Sequence, residues 1–135
     1  MQSILLLSLF FCHMLGDFSP LSTPWMLKAK ENGKPFLPIL AHAGVHAALM
    51  GIVLLVVLGK MNLQLVWELT AFEGITHFFI DVWKGRMNVW FPPLRSTSNK
   101  WHWMLFGFDQ FLHASVIVCI AHCATHPMDL DLMNF

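Results

Sequence analysis

Four apolar stretches of this chain each carry a pair of ionisable residues four positions apart: His13 with Asp17, His42 with His46, His77 with Asp81, and Asp109 with His113. Residues four apart share one face of an α-helix, with side chains about 5–6 Å from each other. Each stretch must therefore be helical to bring its pair together. Ionisable groups on apolar helices are costly and need a partner or a purpose. The eight His and eight Asp plus Glu residues of the chain would give about two such pairs if scattered at random along a helical period. Six are present, the other two being Glu73/His77 and His122/His126. Four segments with the same kind of pair point to one shared polar site inside a helical bundle.

Composition says what kind of bundle. The chain has 135 residues, room for one domain, and is 56% hydrophobic with 12% charged residues. Soluble domains carry roughly 25% charged residues. The expected fold is all-α: a four-helix integral membrane bundle over a single transmembrane domain, residues 1–135, with helices at about 3–18, 36–58, 63–83 and 101–124. A short interfacial helix is expected at residues 25–30. The N-terminal stretch lacks a positive leader and a small-residue cleavage site, and it carries the first pair, so it reads as a retained first helix. Pro20, Ser22, Thr23 and Pro24 end that helix. Residues 59–62 read as a tight turn, 84–100 as a loop, and 126–135 as a polar, mildly acidic, frayed tail. Gly44, Gly51 and Gly107 are expected to let helices approach closely.

The basic residues set an orientation. Lys28, Lys30 and Lys34 follow the first helix, and Lys84, Arg86, Arg95 and Lys100 follow the third, whereas the turn between helices two and three holds only Lys60. The positive-inside rule places the first two groups in the cytoplasm and both termini outside. Trp25, Trp83, Trp90, Trp101 and Trp103 flank the same side, as an aromatic belt would. With 1.5 Å of rise per residue, all four pairs then fall in the cytoplasmic half of the bilayer. The net charge is zero and no Lys or Arg run stands out, which excludes a nucleic-acid partner. The lipid bilayer is the expected partner. A homo-oligomer is compatible with the length, without an interface signature.

A mixed imidazole and carboxylate set suits zinc, manganese or iron. The metal ligands expected are His13, Asp17, His42, His46, His77, Asp81, Asp109 and His113. Five His and three Asp exceed the needs of one tetrahedral zinc, so two zinc ions are the natural count, with manganese or iron as alternatives. Two such ions can activate a water and hold both oxygens of a phosphodiester in displacement. Glu73 and Asp81 are the catalytic candidates, Glu73 as a base or as the group that fixes a His tautomer. Lys28, Lys84 and Arg86, with Lys30 beside them, are candidates to bind the phosphate of a phospholipid or lipid-linked substrate. The rival readings are polar pairs that merely join helices, a metal or proton carrier, and haem ligation. Cys119, His122, Cys123 and His126 form two further interleaved pairs at the outer end of the last helix.

The strings HMLGDF, HAGVHA, THFFIDVWK and FDQFLH resemble a domain-of-unknown-function family of small bacterial inner-membrane proteins, over nearly the whole chain. Their His-x3-Asp style is also similar to membrane-bound metal-dependent hydrolases and, more distantly, to the zinc-dependent phospholipase C and P1 nuclease superfamily. The resemblance implies a bacterial inner-membrane location, a hydrolase activity, and the eight residues above as ligands. The chain is shorter than those soluble enzymes and has no evident counterpart to the N-terminal amino group that ligates zinc in them.

Overall fold

The computed structural model describes residues 2–59 and 62–126. Five α-helices follow in order: α1 (Gln2–Phe18), α2 (Pro24–Asn32), α3 (Phe36–Leu58), α4 (Leu63–Trp90) and α5 (Lys100–Thr125), with a 3-10 turn at Pro92–Arg95 before α5. No strand occurs among the described residues. Lys60, and the expected tail beyond residue 126, lie outside them.

The four long helices pack in a ring, α1 on α3, α3 on α4, α4 on α5 and α5 on α1. Each turns one stripe inward at three- and four-residue spacing. On α1 the stripe is Leu5, Leu9, His13 and Gly16; on α3 it is His42, His46, Met50 and Leu54. On α4 it is Val66, Leu69, Glu73, His77, Asp81 and Gly85; on α5 it is Asp109, His113, Ile117 and Ala121. The helices alternate in direction, so the apolar ends of all four stripes meet in one half of the bundle and the polar ends in the other. The apolar half is a continuous cluster that includes Leu5, Leu9, Met50, Leu54, Ile117 and Ile120.

The outside is apolar as well. Val56 is 78% exposed, and Trp67 and Ile4 are each 72% exposed. Among the described residues two helices, α3 and α5, are long and apolar enough to cross a membrane. At 17 residues α1 is shorter, and the 28 residues of α4 include Glu68, Glu73, Asp81, Lys84 and Arg86. Of these, Glu73 and Asp81 line the interior, while Glu68 is exposed and Lys84 and Arg86 are half-buried.

α4 continues to Trp90, past the expected end at residue 83. No proline interrupts it before Pro92, and Gly85, poor in a helix on its own, is held by a close contact: a Cβ there would collide with Gly33 and with the carbonyl of Lys30. That contact seats α2 on α4. Thr23 caps α2, its Oγ1 accepting from Met26 N at 3.5 Å, and Pro24 opens the helix where no N–H is needed. Gly33 closes it at φ 66°, with its N–H directed to the carbonyls of Ala29 and Lys30. The glycines that permit close approach are thus Gly16, Gly33 and Gly85, whereas a Cβ on Gly44 or Gly107 would meet nothing and one on Gly51 would touch only Thr70.

Candidate metal centre

α2 lies against α3 and α4 and brings Lys30 to the polar half of the bundle. There His13, His42, His46, His77, Asp81, Asp109 and His113 are all buried, and Glu73 with them. Asp17 is nearly so, its side chain 9% exposed.

The five imidazoles form one cluster. The rings of His46 and His77 stack with centroids 3.8 Å apart; His77 and His113 stand at 4.3 Å, His42 and His46 at 4.7 Å, His13 and His46 at 4.9 Å, and His13 and His113 at 5.0 Å. Their Nε2 atoms turn to two carboxylates. Asp17 Oδ1 lies 3.1 Å from His42 Nε2 and 3.6 Å from His46 Nε2, and Asp17 Oδ2 lies 3.5 Å from His13 Nε2. Asp81 Oδ2 lies 3.5 Å from His77 Nε2 and 3.7 Å from His42 Nε2, and Asp81 Oδ1 lies 4.0 Å from His113 Nε2. Donor atoms around a tetrahedral zinc at about 2.0–2.1 Å stand roughly 3.3 Å from one another. The measured spacings match that shell to within a few tenths of an ångström for most pairs.

The far sides of three rings are tied. Ser22 Oγ is 3.4 Å from His42 Nδ1, Glu73 Oε1 is 3.2 Å from His77 Nδ1, and the backbone oxygen of Asp109 is 2.9 Å from His113 Nδ1. With the proton on Nδ1 in each, the ring donates outward and leaves the Nε2 lone pair facing the centre, the arrangement that orients a metal-binding imidazole. Several inward atoms have no hydrogen-bond partner among the described residues: both ring nitrogens of His13 and His46, Nε2 of His77 and His113, and both oxygens of Asp81. Buried polar atoms are almost always satisfied by protein, ordered water or an ion, and this many inward-facing donors in one spot suit a bound ion. Three sets of donors lie within 4.8 Å of one another: His13, His46, Glu73 and His77; Asp17, His42, His46 and His77; and His77, Asp81 and His113. These buried groups can hold a metal ion.

Asp109 belongs to none of the three sets. Its Oδ2 accepts from Lys84 Nζ at 2.7 Å and from Gln110 Nε2 at 3.2 Å, which turns that oxygen to the side of the cluster. Lys84 also lies over the Phe106 ring, 5.1 Å from its centroid. The same side opens into a cleft of about 250 Å³ whose walls include Lys30, Lys84, Phe18, Leu27, Phe106 and Gln110. Lys28 and Arg86 are not in that wall. Lys28 is exposed, and Arg86 packs along α4 with its guanidinium 5.5 Å from the Trp90 ring centroid. Cys119, His122, Cys123 and His126 join no convergent donor set among the described residues; His122 and His126 simply stack at 4.6 Å.

Lys30 is the member that spacing did not place at the centre. Its Nζ donates to Asp17 Oδ1 at 2.8 Å, stands 2.8 Å from His42 Nε2, and lies 3.3 Å from Asp81 Oδ2. Burial on its own would push the ammonium towards its neutral form, but Asp81 and Asp17 outweigh that and hold its pKa above the ordinary lysine value. Ser22 and Gly16 were also missed. Ser22 reads as part of a helix stop, and no sequence signal singles out Gly16, yet a Cβ on Gly16 would collide with the His46 ring.

The family described as protein of unknown function (DUF3307) matches residues 5–134. No curated protein and no solved structure matches the chain. These comparisons do not extend to the membrane-bound hydrolases or to the phospholipase C and P1 nuclease superfamily.

Proposed function

The chain belongs to the DUF3307 family, and we propose that it is a membrane-embedded, metal-dependent hydrolase acting on a phosphoester, in a lipid or lipid-linked headgroup. One observation carries this: five Nε2 atoms from four helices converge on two carboxylates, and four of them, all but that of His42, have no hydrogen-bond partner among the described residues. Polar pairs that only join helices would satisfy each other, and one or two would suffice. Haem needs two axial imidazoles and gains nothing from adjacent carboxylates.

Two ions, most simply zinc, fit the count. One would be held by Asp17, His42 and His46, the other by His77, Asp81 and His113, with His13 between. Bound metal lowers the pKa of water to about 7. The water oxygen forms the new bond to phosphorus as the ester P–O bond breaks, and its proton passes through a carboxylate to the departing alkoxide. Asp81, whose oxygens make no contact closer than the Lys30 ion pair at 3.3 Å, suits that transfer better than Glu73, which is occupied in orienting His77.

The membrane setting is supported by the apolar exterior and by the two long apolar helices. Exposed Trp25, Trp90, Trp101 and Trp103 gather near the polar end, as an interfacial belt would. On this proposal all four long helices cross the inner membrane of a bacterium, with both termini outside and the cleft open to the cytoplasmic leaflet. A carrier would need a polar path through the other half, where Leu5, Leu9, Met50, Leu54, Ile117 and Ile120 are fully buried against one another. That apolar plug favours catalysis over transport.

The test is metal analysis of the purified protein together with turnover of lipid phosphodiesters by wild type, His77→Ala and Asp81→Ala. Two metal ions per chain and loss of turnover in both variants are expected. Undiminished turnover in either variant overturns the assignment.

A further inference from the structure

The ammonium of Lys30 already stands inside the centre. It lies among Asp17 Oδ1, His42 Nε2 and Asp81 Oδ2, at 2.8, 2.8 and 3.3 Å. A carboxylate oxygen has spare lone pairs and can serve two cations. An imidazole nitrogen has one. With Nδ1 of His42 turned to Ser22, Nε2 either accepts from Lys30 or binds a metal, never both. A dication bound there would also repel the ammonium at close range, in a site where burial weakens screening.

Lys30 has somewhere to go. Its side chain is 15% exposed, on the wall of the cleft that Lys84, Phe18, Leu27 and Phe106 also line. Its backbone cannot follow, because Gly33 and Gly85 lock the end of α2 onto α4. Only the flexible side chain can turn. Turned outward, its ammonium would share the cleft with that of Lys84, which spends one of its three donors on Asp109. Glu31 stands on the same wall, exposed to solvent.

We propose that Lys30 is a tethered cation that fills the Asp17–His42 end of the centre, and that metal binding there turns its ammonium into the cleft, where with Lys84 it receives an anionic phosphate group. The inference rests on the metal assignment above and adds an order to it: metal first, phosphate second. The two bindings are then reciprocally coupled. Phe18, Leu27 and Phe106, set on the cleft wall among charged and polar residues that include Asp17, Glu31 and Asp109, would receive an acyl chain beside the phosphate.

The direct measurement uses the unmodified full chain in detergent. An amine-acylating reagent is applied with and without zinc, and mass spectrometry reads the labelling of Lys30. Labelling is expected to rise several-fold with zinc, while Lys28, already exposed, stays constant. Zinc titration then compares wild type with Lys30→Met. The variant is expected to bind zinc roughly tenfold more tightly, within the usual range of coupling between two sites. Inorganic phosphate and nanodiscs containing phosphatidic acid are expected to tighten zinc binding in wild type and not in Lys30→Met. A larger effect from the nanodiscs than from phosphate identifies the lipid as the source, and an effect from phosphate alone replaces it with a free anion while keeping the Lys30 site. Zinc binding with unchanged Lys30 labelling, or equal zinc affinity in Lys30→Met, overturns the proposal and leaves the metal centre standing. No zinc bound by wild type overturns both.

Discussion

The two halves of this bundle are built from the same four helices on the same four stripes, yet they are cores of opposite kinds. Within α3 alone, His42 and His46 give way to Met50 and Leu54 without any break in spacing. In the apolar half the side chains have no polar groups to satisfy, and apolar residues of similar volume would serve. In the polar half three rings, those of His42, His77 and His113, have a tied outer nitrogen, while the inner nitrogens of His77 and His113 and both nitrogens of His13 and His46 have no hydrogen-bond partner among the described residues. The first half specifies that four helices pack. The second concedes stability to hold a geometry, as binding sites commonly do. If the comparison is right, damage to one half should leave the other's property intact.

The largest effect should come from removing a central ligand. Asp81→Ala and His77→Ala are expected to abolish stoichiometric metal binding and to lower turnover by at least about a hundredfold, beyond what loss of an orienting partner costs. Without metal, Asp81→Ala should melt little below the metal-free wild type, because apart from the Lys30 ammonium 3.3 Å away its oxygens have no hydrogen-bond partner to lose. Thermal scans in detergent with and without chelator check this. A metal-free variant that melts far below metal-free wild type would mean that the polar half is structural glue.

The mirror experiment is Leu54→Ala, which empties a fully buried position of the apolar half. It should cost about 2–5 kcal/mol of stability and leave the zinc affinity of the folded protein unchanged. Zinc in hundredfold excess over its dissociation constant should restore about 2.7 kcal/mol, as much as in wild type. A variant whose zinc affinity falls along with its stability would show that the halves are not separable.

How far each half could be read in advance differs for a physical reason. Helical period makes i, i+4 pairs visible, so the five imidazoles, Asp17 and Asp81 were legible as a set before any fold was known. α2 is expected as a short helix at residues 25–30, but Thr23 and Pro24, which cap and open it, read as the stop of the first helix. Where α2 would lie was not legible, because its seat depends on Gly33 meeting Gly85, 52 positions on in the chain. Lys30 therefore looked like one of several loop lysines, and Lys28 and Arg86 looked its equal. The length of α4 was misjudged because a charged, glycine-containing stretch resembles a loop until a close contact holds it. Gly16 carries no signal at all in one sequence, since its importance is a distance to His46.

Gly16→Ala sharpens the comparison more gently. The added methyl would force the His46 ring aside while touching nothing in the apolar half. Zinc affinity should fall by about ten- to a hundredfold, the range seen when a ligand loses its support, with melting of the metal-free protein little changed. Glu73→Gln should fall in the same range, because an amide oxygen can still accept from His77 Nδ1 but no longer as a charged partner.

Ser22→Ala is the smallest and most discriminating change. Ser22 Oγ is the weakest of the three outer ties, 3.4 Å from His42 Nδ1 against 2.9 Å for the backbone oxygen behind His113. A single neutral hydrogen bond contributes about 0.5–1.5 kcal/mol, so the metal-bound state should lose about tenfold in affinity at most. The loss has a direction, too. Without Ser22, His42 can move its proton to Nε2, where it would face Asp17 Oδ1 at 3.1 Å and donate to it. That tautomer has no lone pair for a metal or for the Lys30 ammonium. Nitrogen-15 spectra of the metal-free protein should then show the Nδ1-protonated form of His42 in wild type and a mixture in Ser22→Ala. An unaltered tautomer with an unaltered zinc affinity would mean that the polar half tolerates loose support, and that its resemblance to a built metal site is only the accident of crowding.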